Sequence, residues 1–163
     1  MKIAFMGFDS EEKKKVILEL LPLFQDDMGL KVYLDERIDE QYSHLGENFR
    51  EPKARKKVQR WLDYWFVFTH YFKKNFVSSA SIFDAWATAR VSVNPWYHQL
   101  LFTWSFKHIW YDHVFYINPT GPVDPVRERE LSIVVSYSRV PFHVLSGDTK
   151  DKIDQVKVLL GRV

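Results

Sequence analysis

The feature that most constrains the fold is an alternation of short apolar runs with longer amphipathic stretches. The apolar runs are typical of strands, and they lie at residues 3–8, 30–34, 75–79, 113–117 and 142–145. No two of them are joined by the tight Gly- or Asn-containing turn that marks a hairpin. Strands that alternate with helices form a parallel sheet covered on both faces. The sequence therefore predicts one α/β domain over residues 1–163, with a parallel sheet of about five strands.

The first predicted strand is followed at once by a helix. Ile3–Phe8 is apolar and contains Gly7, and Asp9 and Glu12 have the spacing of a capping box. Apolar residues then recur at helical spacing up to Pro22, where we expect the helix to kink or end. A strand, a glycine and a helix in that order are typical of a phosphate-binding loop.

Composition excludes several classes of function. The chain has 163 residues, the size of a single domain, and no cysteine, which excludes disulfides, thiol catalysis and cysteine-bound metals. Its six histidines lack the spacing of a metal site, so we expect no metal. No apolar run is long enough to span a membrane, and charge interrupts the N-terminal run too early for a signal peptide. We therefore expect no membrane association and a cytoplasmic location.

Four further segments extend the similarity to a phosphate-binding protein. Residues 75–86 have the pattern of a strand and a helix, 111–117 that of a strand, and 145–148 that of a strand end and a turn. Arg127 and Arg129 lie between the last two segments. In this order of segments the chain resembles the small P-loop nucleotide kinases, the thymidylate-kinase-like proteins and related ATPases of bacteria and phages. The resemblance implies that 111–117 precedes a lid and that Arg127 and Arg129 fall where the lid holds phosphate. The resemblance implies a P-loop-kinase-like three-layer fold, and a bacterial host or a phage-infected cell.

The motifs of that family are degenerate in this chain. The loop G-x-x-x-x-G-K-[ST] corresponds to residues 7–14, in which Gly7 and Lys13 remain. Glu12 replaces the second glycine and Lys14 replaces the hydroxyl that would hold magnesium. We expect Asp9, Glu11 and Glu12 to crowd the helix N-terminus and satisfy its free amides in place of phosphate. Ser79-Ala80 stands where the family has Asp-Arg.

Three functions remain open, and one of them is a nucleic-acid-binding accessory protein. Another is a degenerate nucleotide-kinase-like protein, or pseudoenzyme, with weak or lost phosphotransfer, without a cofactor, that acts by binding a partner. The third is an active nucleoside monophosphate kinase with ATP and magnesium, in which Gly7, Lys13, Arg127 and Arg129 hold phosphate. The alternative role for Lys13 is a solvated residue of the run 13–15, and for the two arginines it is pairing with Glu128 and Glu130.

Two segments are candidate partner surfaces. One is a basic stretch that would suit nucleic-acid phosphates or an acidic protein, formed by Arg50, Lys53, Arg55, Lys56, Lys57 and Arg60. The other is the aromatic block from Pro95 to Trp110, in which Trp96, Trp104 and Trp110 would anchor a protein partner or a second copy of the chain. A net charge of +2 favours the protein partner over a nucleic-acid-binding accessory role.

Overall fold

The structure is a computed structural model that describes residues 1–7, 10–34, 67–84, 86, 103–105, 107–119, 125–136 and 138–162. These ranges include all five predicted strands except Phe8. They exclude the basic stretch 50–60 and Trp96, so the predictions for those residues lie outside the described residues.

The sheet has five strands, and every strand pair in it is parallel. The strands are β1 (Lys2–Met6), β2 (Lys31–Tyr33), β3 (Phe76–Ser78), β4 (His113–Ile117) and β5 (Phe142–Leu145). Their spatial order is β2-β3-β1-β4-β5. This confirms the predicted parallel sheet. The order differs from both the dinucleotide-binding and the flavodoxin-like arrangements of doubly wound sheets.

Three helices are described over their full length. They are α1 (Ser10–Glu19), α2 (Pro125–Ser136) and α3 (Thr149–Leu159). Helical residues are also described at 67–72, 82–84 and 103–105. α1 ends at Glu19, three residues before Pro22, and a separate π-helical turn follows Pro22 at Leu23–Asp27. The helical pattern is thus interrupted around Pro22, as expected.

Each face of the sheet has its own apolar core. On the first face Ile3 and Phe5 of β1 pack with residues of α1 and with Val156 of α3. On the second face Ala4 and Met6 pack with side chains from 67, 82–83, 109–111 and α2. Successive side chains of a strand point to opposite faces, so β1 is buried on both. Helices therefore cover both faces, as predicted.

The chain turns toward one face of the sheet after β1, and toward the other face after each of the two strands beside it. After β1 it enters α1 on the first face, whereas after β3 and β4 it enters helices on the second face. In open parallel sheets ligands bind in the crevice that such a change of side creates. The carboxyl end of β1 is therefore the first place to look for a site.

Within the described parts of the chain, no helix is both long enough and apolar enough to cross a membrane.

Candidate functional site

Gly7 lies at the carboxyl end of β1 and requires the absence of a side chain. Its φ is +122°, a conformation that L residues rarely adopt, and a Cβ there would lie 2.9 Å from the backbone oxygen of Ile117. The backbone of β1 thus passes close to β4 as the strand ends. A glycine at position 7 is therefore required by the neighbouring strand β4.

Replacing Gly7 with alanine is expected to lower the free energy of unfolding by about 1–3 kcal/mol from backbone conformation alone, with the Ile117 clash in addition. Gly29→Ala is the matched control, because Gly29 has a φ of +62° but no neighbouring atom within 4 Å of the point where a Cβ would lie. Urea unfolding of both variants measures the difference. Equal losses at the two positions would contradict a close approach at Gly7.

The Asp84 carboxylate accepts a hydrogen bond from the backbone amide at the end of β1. The Gly7 backbone N–H donates to Asp84 Oδ1 at 2.8 Å. The other carboxylate oxygen, Oδ2, accepts from the backbone N–H of Ser81 at 2.8 Å and from its hydroxyl at 2.6 Å. The Asp84 N–H donates back to Ser81 Oγ at 3.2 Å. Asp84 therefore caps its own helical segment and binds β1 at the same time.

The sequence reasoning overlooked Asp84, although a signal was present. Ser81 and Asp84 have the Ser-x-x-acid spacing of a capping box, directly before apolar helical residues. That spacing predicts the two reciprocal bonds. It does not predict the third bond, to Gly7, which joins residues 77 positions apart.

A second carboxylate is held near the same strand end. Tyr116 of β4 donates its hydroxyl proton to Glu128 Oε2 of α2 at 2.6 Å, while Glu128 Oε1 is buried and has no hydrogen-bond partner in the described structure. Burial raises the pKa of Tyr116, and the Glu128 hydrogen bond and the charges of Glu128 and Asp84 raise it further. The field around Tyr116 is therefore negative, which is unfavourable for a phosphate.

The Glu12 side chain contacts residues of α3. Its carboxylate accepts from Lys152 Nζ of α3 at 2.9 Å and from the hydroxyl of Thr149 at 3.1 Å. The Lys152 hydrogen bond lowers the pKa of Glu12, against the opposing effect of burial. The residue in place of the second loop glycine thus joins α1 to α3. Of the other two predicted capping acids, Glu11 is exposed and Asp9 lies outside the described residues.

Lys13 is buried, with an exposed fraction of 8%. The alternative that it is a solvated residue of the run 13–15 is therefore wrong, whereas its neighbour Lys15 is exposed. A lysine is rarely buried to this extent without a counter-charge. Lys13 forms no ion pair with another residue of the described structure.

Of the two remaining predicted phosphate ligands, Arg127 and Arg129, the structure describes only the side chain of Arg129. Arg129 is exposed on α2, and the Arg127 side chain lies outside the described residues. After β3, the Ser79 backbone N–H donates to the Tyr33 carbonyl at 3.0 Å and continues the sheet. Among the described residues, no group of three or more His, Asp or Glu side chains is placed to hold a metal ion.

Two of the predicted partner tryptophans are exposed, Trp104 and Trp110. The ring contacts of Trp104 in the described structure are with Tyr71 and His108. The aromatic surface around Trp104 therefore extends to the helical segment 67–72, beyond the block from Pro95 to Trp110.

In comparisons with models of known protein families and with curated proteins, nothing matches this chain.

Proposed function

We propose that this protein is a nucleotide-kinase-like domain that has lost phosphotransfer and acts by binding a macromolecule. The observation that carries the proposal is the hydrogen bond from the Gly7 N–H to Asp84 Oδ1. In a phosphate loop this amide would point at an anion. Here a carboxylate of the same chain occupies it.

Displacing Asp84 would be costly for a phosphate. Hydrogen bonds to charged groups contribute about 1.5–3 kcal/mol each, and Asp84 accepts three of them while buried. A displaced Asp84 would stay close to the incoming anion and repel it. The hydrogen bonds of Asp84 therefore favour the arrangement in which Asp84, and not a phosphate, accepts from the Gly7 amide.

The residues that would handle magnesium and the nucleotide base also argue for lost catalysis. Ser79 and Ala80 offer no carboxylate or guanidinium beside the strand end. At the turn after β5, a groove of about 540 Å³ is lined in part by Asp151 and Asp154. Two carboxylates make that groove a poor place for a phosphorylated ligand.

We expect no thermal stabilisation by ATP with magnesium at millimolar concentration. A ligand present at 100 times its dissociation constant would stabilise the fold by about 2.7 kcal/mol, which a melting curve resolves easily. The measurement is a thermal shift with and without magnesium and ATP, together with a phosphotransfer assay on nucleoside monophosphates. A clear stabilisation that is lost in Lys13→Ala, but kept in the matched exposed variant Lys15→Ala, would overturn the proposal.

The second candidate function is an active nucleoside monophosphate kinase with ATP and magnesium. The observation that favours it is the buried Lys13, which lies near the start of α1. In this reading Asp84 moves away when the nucleotide binds, and Lys13 holds the phosphate. Asp84→Asn separates the two functions, because removing the repelling charge should strengthen nucleotide binding only if the Gly7 amide receives phosphate.

A further inference from the structure

We propose that single-stranded nucleic acid binds to a basic–aromatic surface on the second face of the sheet. This surface consists of Lys31, Tyr33, Tyr71, Phe72, Lys73 and Trp104. The inference rests on the binding role proposed above and names its partner. Its test uses no nucleoside triphosphate, so either proposal can fail without the other.

The aromatic half of the surface is a continuous set of exposed rings. Phe72 is 67% exposed and Trp104 is 41% exposed. Tyr71 lies between them, with ring centroids 4.9 Å from Phe72 and 5.2 Å from Trp104. Three adjoining rings in contact with solvent are unusual on a protein surface without a partner. Each ring offers a face or an edge on which a base can stack.

The basic half of the surface begins at Lys73, the residue after Phe72. Lys73 Nζ lies 3.9 Å from the ring centroid of Tyr33, and Lys31 Nζ lies 5.5 Å from the same centroid. Two ammonium groups thus share one ring, and neither forms an ion pair in the described structure. Lys74, the next residue, is also exposed. An anion that bridges these cations would relieve their mutual repulsion.

A further cation, the Lys2 ammonium group, lies at the end of the helical segment 67–72. Lys2 Nζ donates to the backbone carbonyls of His70 at 2.8 Å and Tyr71 at 3.3 Å, which fixes an ammonium group at the end of this helical segment. The nearby acid is Asp112, whose carboxylate accepts from the Lys2 backbone N–H at 2.6 Å. Among the described residues around this surface, positive charges therefore outnumber negative ones, although the whole chain carries only +2.

This combination fits a single strand better than a protein or a duplex. The net charge of the whole chain favoured a protein partner, but a ligand bound here interacts mainly with the charges of this surface. Phosphates would lie over the lysines while unpaired bases stack on the rings, the arrangement by which proteins hold single strands without reading sequence. In a duplex the bases already stack on one another, so the rings would find no exposed base face. An acidic protein would use the lysines alone.

The test is fluorescence anisotropy of the full chain with a labelled oligothymidylate of about 15 nucleotides. We expect binding that weakens as salt rises, with a slope in log–log form of about −0.7 per phosphate contacted. Phe72→Ala and Trp104→Ala should each weaken binding by about 5- to 150-fold. Lys31→Gln and Lys73→Gln should each reduce the salt slope by about 0.7.

Matched controls lie on α3, at the opposite face of the sheet. Val158→Ala removes an exposed apolar side chain, and Lys150→Gln removes an exposed lysine. Both should leave the affinity unchanged, and melting curves should show that all six variants fold. Binding that the four surface variants do not weaken would overturn the proposal. Equally strong binding of a duplex, or binding of polyglutamate but not of the oligonucleotide, would also overturn it.

Discussion

Replacing Glu12 with glutamine is expected to lower the free energy of unfolding by about 3 kcal/mol. Lys152, its partner, is fully buried, and the hydrogen bond between them is 2.9 Å long. Glutamine keeps the shape of the side chain and removes only its charge, so the ammonium of Lys152 would remain in the interior without a counter-ion. Breaking a buried pair typically costs about 3–5 kcal/mol. The lower end applies because the Glu12 side chain retains 11% exposure.

Urea unfolding measures this loss, and a double-mutant cycle identifies its cause. Lys152→Met removes the buried charge and fills a similar volume. In Glu12→Gln combined with Lys152→Met, no unpaired charge remains, so the double variant should be more stable than Glu12→Gln alone. A double variant whose loss equals the sum of the two single losses would contradict an energetic coupling between α1 and α3.

The second large effect is a loss of stability in mild acid that depends on His70. Burial lowers the pKa of His70 to about 3, and the positive charges of Lys2 and Lys73 act in the same direction. The hydroxyl of Tyr111 lies 2.6 Å from His70 Nδ1 and accepts from the Ile82 N–H at 3.0 Å. This network joins three separate segments on the second face of the sheet.

The sign follows from the lowered pKa. Below the unfolded-state pKa of about 6.5 the unfolded chain binds a proton at His70 that the folded chain does not, so the stabilisation is complete above that pH and is lost as pH falls. The loss approaches about 1.4 kcal/mol per pH unit from this residue, and reaches about 3 kcal/mol near pH 4.5.

Urea unfolding between pH 7.5 and about 4.5 tests this effect. His70→Asn keeps a side chain that can hydrogen-bond Tyr111 and cannot take up the proton, so its stability should depend less on pH than that of the natural chain. His113→Asn is the control. Burial and the neighbouring His143 lower the pKa of His113 as well, but His113 is only half-buried and should account for a smaller part of the slope. Identical slopes for the natural chain and His70→Asn would contradict the assignment.

The strands were the most predictable part of the structure. Buried parallel strands appear as apolar runs, and β4 and β5 lie at the predicted residues 113–117 and 142–145. The first strand ends at Met6 instead of Phe8, because Gly7 adopts a positive φ that β geometry does not allow. Local composition was therefore sufficient to predict these strands, but the backbone conformation of Gly7 determined where β1 ends.

The contacts of the candidate site were not predictable in the same way. A helical period shows which face of a helix is buried, but not which residue it meets there. Glu12 and Lys152 are 140 positions apart, and each belongs to a stretch of charged residues typical of a solvated helix. The burial of Lys13 was not predictable for the same reason, because the run 13–15 is also typical of a solvated helix. These partners are determined by how α1 and α3 cross on the first face, which the sequence pattern does not encode locally.

The central place of β1 affects how the chain can be made. Lys2 pairs with Phe76 and Ile3 pairs with His113, so both edges of β1 pair with segments that are translated much later. At about 5–20 residues per second, the delay before β3 emerges is several seconds. During that time an apolar strand with two open edges is exposed on the ribosome, where chaperones and aggregation compete for it. A sheet built outward from its earliest strand thus makes the yield of folded protein sensitive to the speed of translation.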